Sequence, residues 1–441
     1  MSRTFRFALP LLLLPLLLLP LLGRAQVPTP APAQTRPILI TGATLHIGNG
    51  TSSEAAALAF AGGRLTYAGP LSGFTADRAG FETIDASGQH LYPGLILPNT
   101  SLGLTEVEAI RATVDEQEVG LFNPHVRSVI AYNTDADVLP TVRQNGVLLV
   151  QSTPRGGLLS GQSSIMQLDA WNWQDAVVKV DDGQHLTWPP LVFKLNSADE
   201  ASAVEKRQTA RQNQLRELDQ LFTDAAAYRQ LPAGRPDNLR LAALGGLFDG
   251  RQTLYLHADY GKEIIEAVRF AKRLGVQKVA VVGARDAWMV LDFLKQNDVA
   301  VVLSRVHALP RREADDYDQP YKLPAQLQAA GIRYCLDYEG SKEAAGSRNL
   351  AFVAGTAVAF GLTQEQALTA VTLSPARILG LDKDYGSLEV GKSATFVLSR
   401  GDLLDMRTNA VTRAFIDGRQ ISLESKQTYL EKKFRGKYGL K

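Results

Sequence analysis

From residue 38 onward the apolar positions fall into short runs separated by turn-formers. Ile38-Leu39-Ile40, Ala56 to Phe60 and Leu65-Thr66-Tyr67 have strand character, and Gly62-Gly63 lies where a tight hairpin turn would join two of them. Beyond Pro93-Gly94 the pattern changes to strand, helix, strand, helix. It is clearest between Thr253 and Arg305, where an apolar strand ending at His257 precedes a helix that carries Ile264, Val268 and Ala271 on one face. Gly275 stops that helix; a strand over Lys278 to Val282, a helix around Ala287 to Leu294 and a strand over Val299 to Leu303 then complete a βαβαβ series. Short connections of this kind demand a parallel sheet, and a closed barrel and an open doubly wound sheet satisfy the rhythm equally.

The rhythm fails between Trp188 and Leu244, where a long polar helix through Glu200 to Arg229 reads as an insertion. A last helical region covers Thr363 to Leu379, with Thr363 and Gln366 at capping-box spacing. Strands return over Ser387 to Leu398 and Val411 to Ile421, so a small β-domain is expected from both chain ends. The expected division is residues 38–92 and 381–421 as the two parts of a β-sandwich, 93–380 as the α/β body with its insertion at about 188–244, and 422–441 as a basic tail.

The amino-terminal residues have a different character. Arg3 and Arg6 precede a Leu-rich apolar run from Ala8 to Leu22, and Gly23 and Ala25 offer small residues before a cut, so residues 1–25 read as an export signal and the protein as periplasmic or secreted. The competing reading is a membrane anchor, but Pro10, Pro15 and Pro20 interrupt a run shorter than the ~20 residues that a span needs. No cysteine follows the run, which argues against a lipid-anchored amino terminus; Cys335, the single cysteine, also excludes an internal disulfide. Residues 26–37, rich in Pro, Ala and Thr, suit an extended linker. The 441 residues are 45% hydrophobic and 21% charged with a formal charge of +2, which excludes wholesale disorder and gives no argument for a nucleic-acid partner. After signal removal no membrane span is expected; oligomerisation is left open.

Three segments carry a family resemblance. Leu91-Tyr92-Pro93-Gly94-Leu95-Ile96, Ser374-Pro375-Ala376-Arg377-Ile378-Leu379-Gly380 and Gly386-Ser387-Leu388-Glu389-Val390-Gly391-Lys392-Ser393-Ala394 together resemble the amidohydrolase superfamily, in particular its imidazolonepropionase-like branch, and Ile40-Thr41-Gly42-Ala43-Thr44 is similar to how those chains open. The resemblance covers most of residues 38–421 and is weakest between Trp173 and Leu244. It implies an α/β fold, a (β/α)8 TIM-type barrel with its site at the carboxyl ends of the strands. It also implies a small-molecule substrate whose non-peptide carbon–nitrogen bond, in an amide or cyclic amide, is hydrolysed by a water that one or two divalent metals such as zinc acidify.

Against that pattern the chain lacks most ligands. The family's first motif places two histidines on the strand after Pro-Gly-Leu-Ile, and those positions are Asn99 and Ser101 here; neither an amide nor a neutral hydroxyl replaces imidazole on zinc. Gly283 stands where strand six would supply a histidine. His257, in Tyr255-Leu256-His257-Ala258, matches the strand-five histidine; its other reading is a lone histidine hydrogen-bonded at a strand end. The strand-eight acid, which in the family binds metal and shuttles a proton, falls on Glu339 with Asp337 beside it, each otherwise a solvated acid or salt-bridge partner.

No HxH or HxxxH spacing links His46, His90, His125, His185 and His307, which read as isolated structural or exposed residues. The Gly-rich stretch Ser152 to Gly161 is no P-loop; it is either a flexible loop or a turn that meets ligand at the barrel mouth. Trp171 and Trp173 either line a pocket or cap the core. Three functions compete: a hydrolase with an altered, even single-metal site around His257 and Glu339; a non-catalytic barrel kept for binding a ligand or partner; and metal-free hydrolysis with Asp337 or Glu339 as general base.

Overall fold

The computed structural model describes residues 28–191, 201–232, 236–340 and 343–440, with side chains placed for all of these except 201 and 202. The expected export signal lies outside the described residues. Among those described, no helix is long and apolar enough to cross a membrane.

The chain opens with β1 (Ile38–His46), β2 (Ser52–Ala61), β3 (Arg64–Pro70), β4 (Glu82–Asp85) and β5 (His90–Pro93). The β2–β3 hairpin turns at Gly62–Gly63, as the sequence predicts. Alternation along β1 sends Ile40 into a cluster with Phe60, Phe396 and Phe415, and Leu39 to the other face beside Ala57 and Ala59.

The barrel strands follow: β6 (Leu95–Thr100), β7 (Val147–Ser152), β8 (Leu159–Gln167), β9 (Val177–Thr187), β10 (Thr253–Ala258), β11 (Lys278–Gly283), β12 (Ala300–Leu303) and β13 (Tyr334–Leu336). They pair in chain order as one eight-stranded sheet. The gap between β6 and β13 is bridged by residues 370 and 371: Ile96 N donates to Val371 O at 2.9 Å and Leu336 N to Ala370 O at 3.0 Å. Outward residues such as Leu97, Val281 and Val301 join the large core under the helices. Inward ones such as Ile96, Leu149, Val282 and Val302 pack at the barrel floor on Ala376, Ile378 and Leu379 of the helix Leu373–Leu379.

One strand departs from an ideal (β/α)8 barrel. β8 is antiparallel to both β7 and β9, because residues 153–158 and 168–176 are too short for the helical crossover that parallel neighbours need. Within the stretch set apart as an insertion, the helix Ala201–Gln230 lies in the crossover between the parallel strands β9 and β10. Its buried Leu218, Phe222 and Ala225 form a stripe, and Phe222 meets Phe270 of the helix Gly261–Arg273 edge to face at 5.4 Å.

The chain then returns to its first sheet through β14 (Phe396–Ser399), β15 (Val411–Ile416) and β16 (Arg419–Ile421), with β14 antiparallel to β5. The sheet domain is therefore discontinuous, though Ser387 to Thr395 is irregular rather than strand. The capping box of Thr363 and Gln366 is present. The described part of the linker is no free tether: Ala31 N donates to Asp169 Oδ2 at 2.9 Å, and Arg419 reaches Ala31 O at 3.1 Å. Trp173 packs on the core, whereas Trp171 is 66% exposed.

Candidate active site

Seven parallel strands point their carboxyl ends at one barrel mouth, and the polar inward residues gather there. Between Leu97 and Thr100 the β6–β7 register slips, and Asn99 takes a left-handed φ of 46°, which asparagine tolerates better than most residues. The slip turns its fully buried side chain across the gap to β13, where Nδ2 donates to Asp337 Oδ2 at 2.8 Å. Asp337 Oδ1 accepts from Tyr338 N at 2.5 Å.

Arg155 sits between these groups. It lies in the loop after β7, where Gly157 (φ 64°) lets the backbone run against residues 120 and 121; an added Cβ would meet Gly120 O at 2.7 Å. The guanidinium donates through Nη1 to Asn99 Oδ1 at 2.6 Å, and through Nη2 to Asn99 O and to Glu343 Oε1, both at 2.8 Å. Glu343 Oε1 also accepts from Ser101 N at 2.7 Å. Burial works against the Arg155 charge, but Glu343, Glu339 and Asp337 together hold its pKa above the ordinary arginine value. Burial, followed by repulsion from Glu339 and Glu343, pushes Asp337 well above the carboxylate range, and burial likewise raises Glu343. Glu339, two residues past the buried Asp337, accepts from Ser304 Oγ at 3.1 Å.

A second network lines the opposite wall. The parallel β9–β10 register sets His185 beside Tyr255 and puts both rings inside, stacked at 4.6 Å. His185 Nδ1 lies 2.9 Å from His257 Nε2, and its Nε2 lies 2.9 Å from Ser163 Oγ. Ser163 donates to Asp182 Oδ1 at 2.7 Å, while Tyr255 and Gln151 donate to Asp182 Oδ2 at 2.8 and 2.9 Å. Burial, then the Arg155 charge, lowers His257 to about 3, and burial with His257 lowers His185 well below the usual imidazole value.

An unfolded imidazole titrates near 6.5, so between there and about 3 the unfolded chain binds protons that folded His257 refuses. Its contribution to stability is complete above that window and lost as pH falls through it; raised Asp337 works in the opposite sense above the carboxylate range. His257→Gln is expected to flatten the loss of thermal stability across the window, read as Tm against pH. An unchanged profile would show that His257 already titrates normally.

Of the residues singled out from sequence, the fold brings Asn99 and Asp337 into direct contact, and Arg155 links them to Ser101 through Glu343. Gly283 ends β11 with φ 89°, and a Cβ there would meet Asp259 Oδ1 at 2.7 Å, so Asp259 occupies the space that a longer side chain would need. The histidines read as isolated are not all so. Besides His185 with His257, His46 Nε2 lies 3.1 Å from His90 Nδ1 across the β1–β5 pair, and its Nδ1 lies 2.6 Å from Glu365. His125 is exposed, and His307 meets Thr356. Sequence reading missed Arg155, Gln151, Ser163, Asp182, His185 and Glu343. Arg155 alone had a signal, because the Gly-rich stretch after β7 does reach the mouth.

The donors expected of a metal site are bonded to one another. Asn99 and Asp337 share a hydrogen bond, the two imidazoles face each other, and a permanent cation sits among the acids. Among the described residues no group of three or more His, Cys, Asp or Glu side chains could hold a metal ion. This donor set does not fit a divalent metal.

A family model described as the Amidohydrolase family matches residues 255–421. The imidazolonepropionase of Flavobacterium psychrophilum is 28% identical over 109 residues, 23% of this chain and 26% of that one. The imidazolonepropionase of Pseudomonas aeruginosa is 63% identical over 38 residues, 9% of this chain and 10% of that one. The matched stretches thus span about a quarter or less of those relatives. An amidohydrolase from Thermotoga maritima MSB8 has the same fold, with a TM-score of 0.75 at 20% identity over 87% of this chain and 99% of that one. A structure described as a putative prolidase from Bifidobacterium longum aligns with a TM-score of 0.54 at 14% identity, covering 91% and 100%. A barrel nearly closed by eight strands and its discontinuous sheet domain give the chain the fold of that amidohydrolase, and the match over residues 255–421 together with these relatives supports placing it with the amidohydrolase superfamily.

Proposed function

We propose that this protein hydrolyses the non-peptide carbon–nitrogen bond of a small amide or cyclic amide at an altered centre, in which the Arg155 guanidinium supplies the positive charge that the superfamily draws from metal. The observation that carries this reading is Arg155 itself, bonded to Asn99 at a position where the family has histidine, and to Glu343. A fixed cation can stabilise negative charge developing on a carbonyl oxygen in a water-poor mouth. Asp337, whose carboxyl burial and the neighbouring acids push well above the usual carboxylate range, suits a general acid; Glu339, positioned by Ser304, suits a base. A water proton passes to Glu339 as its oxygen bonds to the carbonyl carbon. The carbon–nitrogen bond breaks as the Asp337 proton reaches the leaving nitrogen, leaving a carboxylic acid and an amine, and the proton held by Glu339 then passes through solvent to Asp337 and restores both groups. The leader-like first 25 residues add export to this reading.

A non-catalytic, ligand-binding barrel is the second reading, favoured by the mutual saturation of Asn99, Asp337, Arg155 and Glu343. Purified protein assayed for zinc, manganese and iron, and for turnover of amides and lactams with and without chelator, separates the two. The expected result is activity without stoichiometric metal, insensitive to chelator, and reduced about 10²–10⁴-fold in Glu339→Gln. One metal per chain with chelator-sensitive activity overturns the proposal. Thermal protection by small amides with no turnover establishes the binding reading.

A further inference from the structure

The helix Lys426–Tyr438 carries five basic residues against one acidic residue, in a chain whose net charge is only +2. It is anchored at its start, where Thr141 Oγ1 donates to Gln427 Oε1 at 2.7 Å and Lys426 pairs with Asp137 at 2.7 Å. Past that anchor a stripe at four-residue spacing runs out from the body: Leu430, Phe434 and Tyr438 are 38%, 46% and 64% exposed. Uncovered aromatic surface on this scale marks an interaction face.

The opposite character lies next to it. Residues 104–121 hold five acidic residues and one basic one, together with exposed Val107, Ile110, Val119 and Leu121. Asp137, the anchor for Lys426, donates its backbone N–H to Glu106 of this loop at 3.4 Å, so acidic loop and basic helix share one side of the molecule. Among the described residues no salt bridge neutralises the loop acids, and Lys432, Lys433 and Lys437 form none either.

We propose that this side is a self-association face, on which the helix Lys426–Tyr438 of each copy covers the loop 104–121 of a second copy. Two-fold pairing uses the match twice, because helix and loop lie side by side and each presents what the other lacks. An anionic membrane surface is the less favoured occupant, since it would meet the acidic loop along with the helix.

Sedimentation of the full-length mature chain tests this. The expected result is a dimer whose affinity falls on the order of 100-fold in Lys432→Glu/Lys433→Glu, and equally in Glu108→Lys/Glu118→Lys, with unchanged circular dichroism. Mixing the two variants is expected to restore a heterodimer, because helix and loop signs are then exchanged together. A monomeric wild type, or charge-swapped variants that fail to pair, overturns the proposal. A monomer that pelletes with phosphatidylglycerol vesicles, and loses that in the lysine variant, overturns it in favour of the membrane.

Discussion

Asp169→Ala is expected to lower folding stability by about 3–5 kcal/mol, the scale for breaking a buried ion pair by removing one partner. Asp169 is buried and sits between two arginines: Oδ1 accepts from Arg143 at 2.6 Å, and Oδ2 from Arg419 at 2.9 Å and from Ala31 N at 2.9 Å. Arg143 is equally buried, and its pKa is lowered by burial despite the Asp169 charge, so deleting the acid strands a cation that has no route to water. The same carboxylate joins the amino-terminal strap, the barrel and β16, so its loss also loosens residue 31 from the body. Thermal unfolding should show a fall in Tm of roughly 5 °C, from a melting entropy of about 2 cal/mol/K per residue. Asp169→Asn keeps the shape but not the charge, and should recover only part of the loss. A Tm within error of wild type would show that the arginines reach water in the folded chain.

This triad was not legible in the sequence, and the reason is general to the molecule. Its members lie at 143, 169 and 419, and only a discontinuous sheet brings the last against the first two. Features set by near neighbours could be read: the period-two strands, the βαβαβ series from Thr253 to Leu303, the Thr363 capping box and the hairpin at Gly62-Gly63. The antiparallel β8 could not, because Leu159 to Gln167 has no periodicity that reports direction, and only the shortness of its two connections reveals it. Register hid the site in the same way. His185 and His257 are 72 positions apart yet meet at 2.9 Å, because parallel pairing of β9 with β10 puts His185 beside Tyr255. The long polar helix through Glu200 to Arg229 read as an insertion because few of its positions are apolar, and the narrow stripe at Leu218, Phe222 and Ala225 is all that a crossover with one covered face requires.

On the proposed reading, Arg155 governs whether this mouth can take up a metal. A dication held about 5 Å from a guanidinium is repelled by about 7 kcal/mol at an effective dielectric of about 20, enough to outweigh much of what two new imidazoles would contribute. Asn99→His/Ser101→His is therefore expected to bind no stoichiometric zinc, whereas adding Arg155→Met to the pair is expected to permit uptake, read by metal analysis of the dialysed protein. The single Arg155→Met variant should lose turnover by about 10²–10³-fold, the scale for removing one preorganised donor to a developing oxyanion. It also takes from Asp337 and Glu343 the nearest charge that favours their ionised forms, so their pKa values rise further and the alkaline limb of any pH–rate profile, set by the general acid Asp337, moves upward. Arg155→Lys should not rescue it, because a single ammonium cannot reproduce the planar fork that holds Asn99 Oδ1, Asn99 O and Glu343 Oε1 together. Full zinc occupancy in the double histidine variant with Arg155 intact would show that the guanidinium swings out of the mouth, and would remove the ground for assigning it the metal's role.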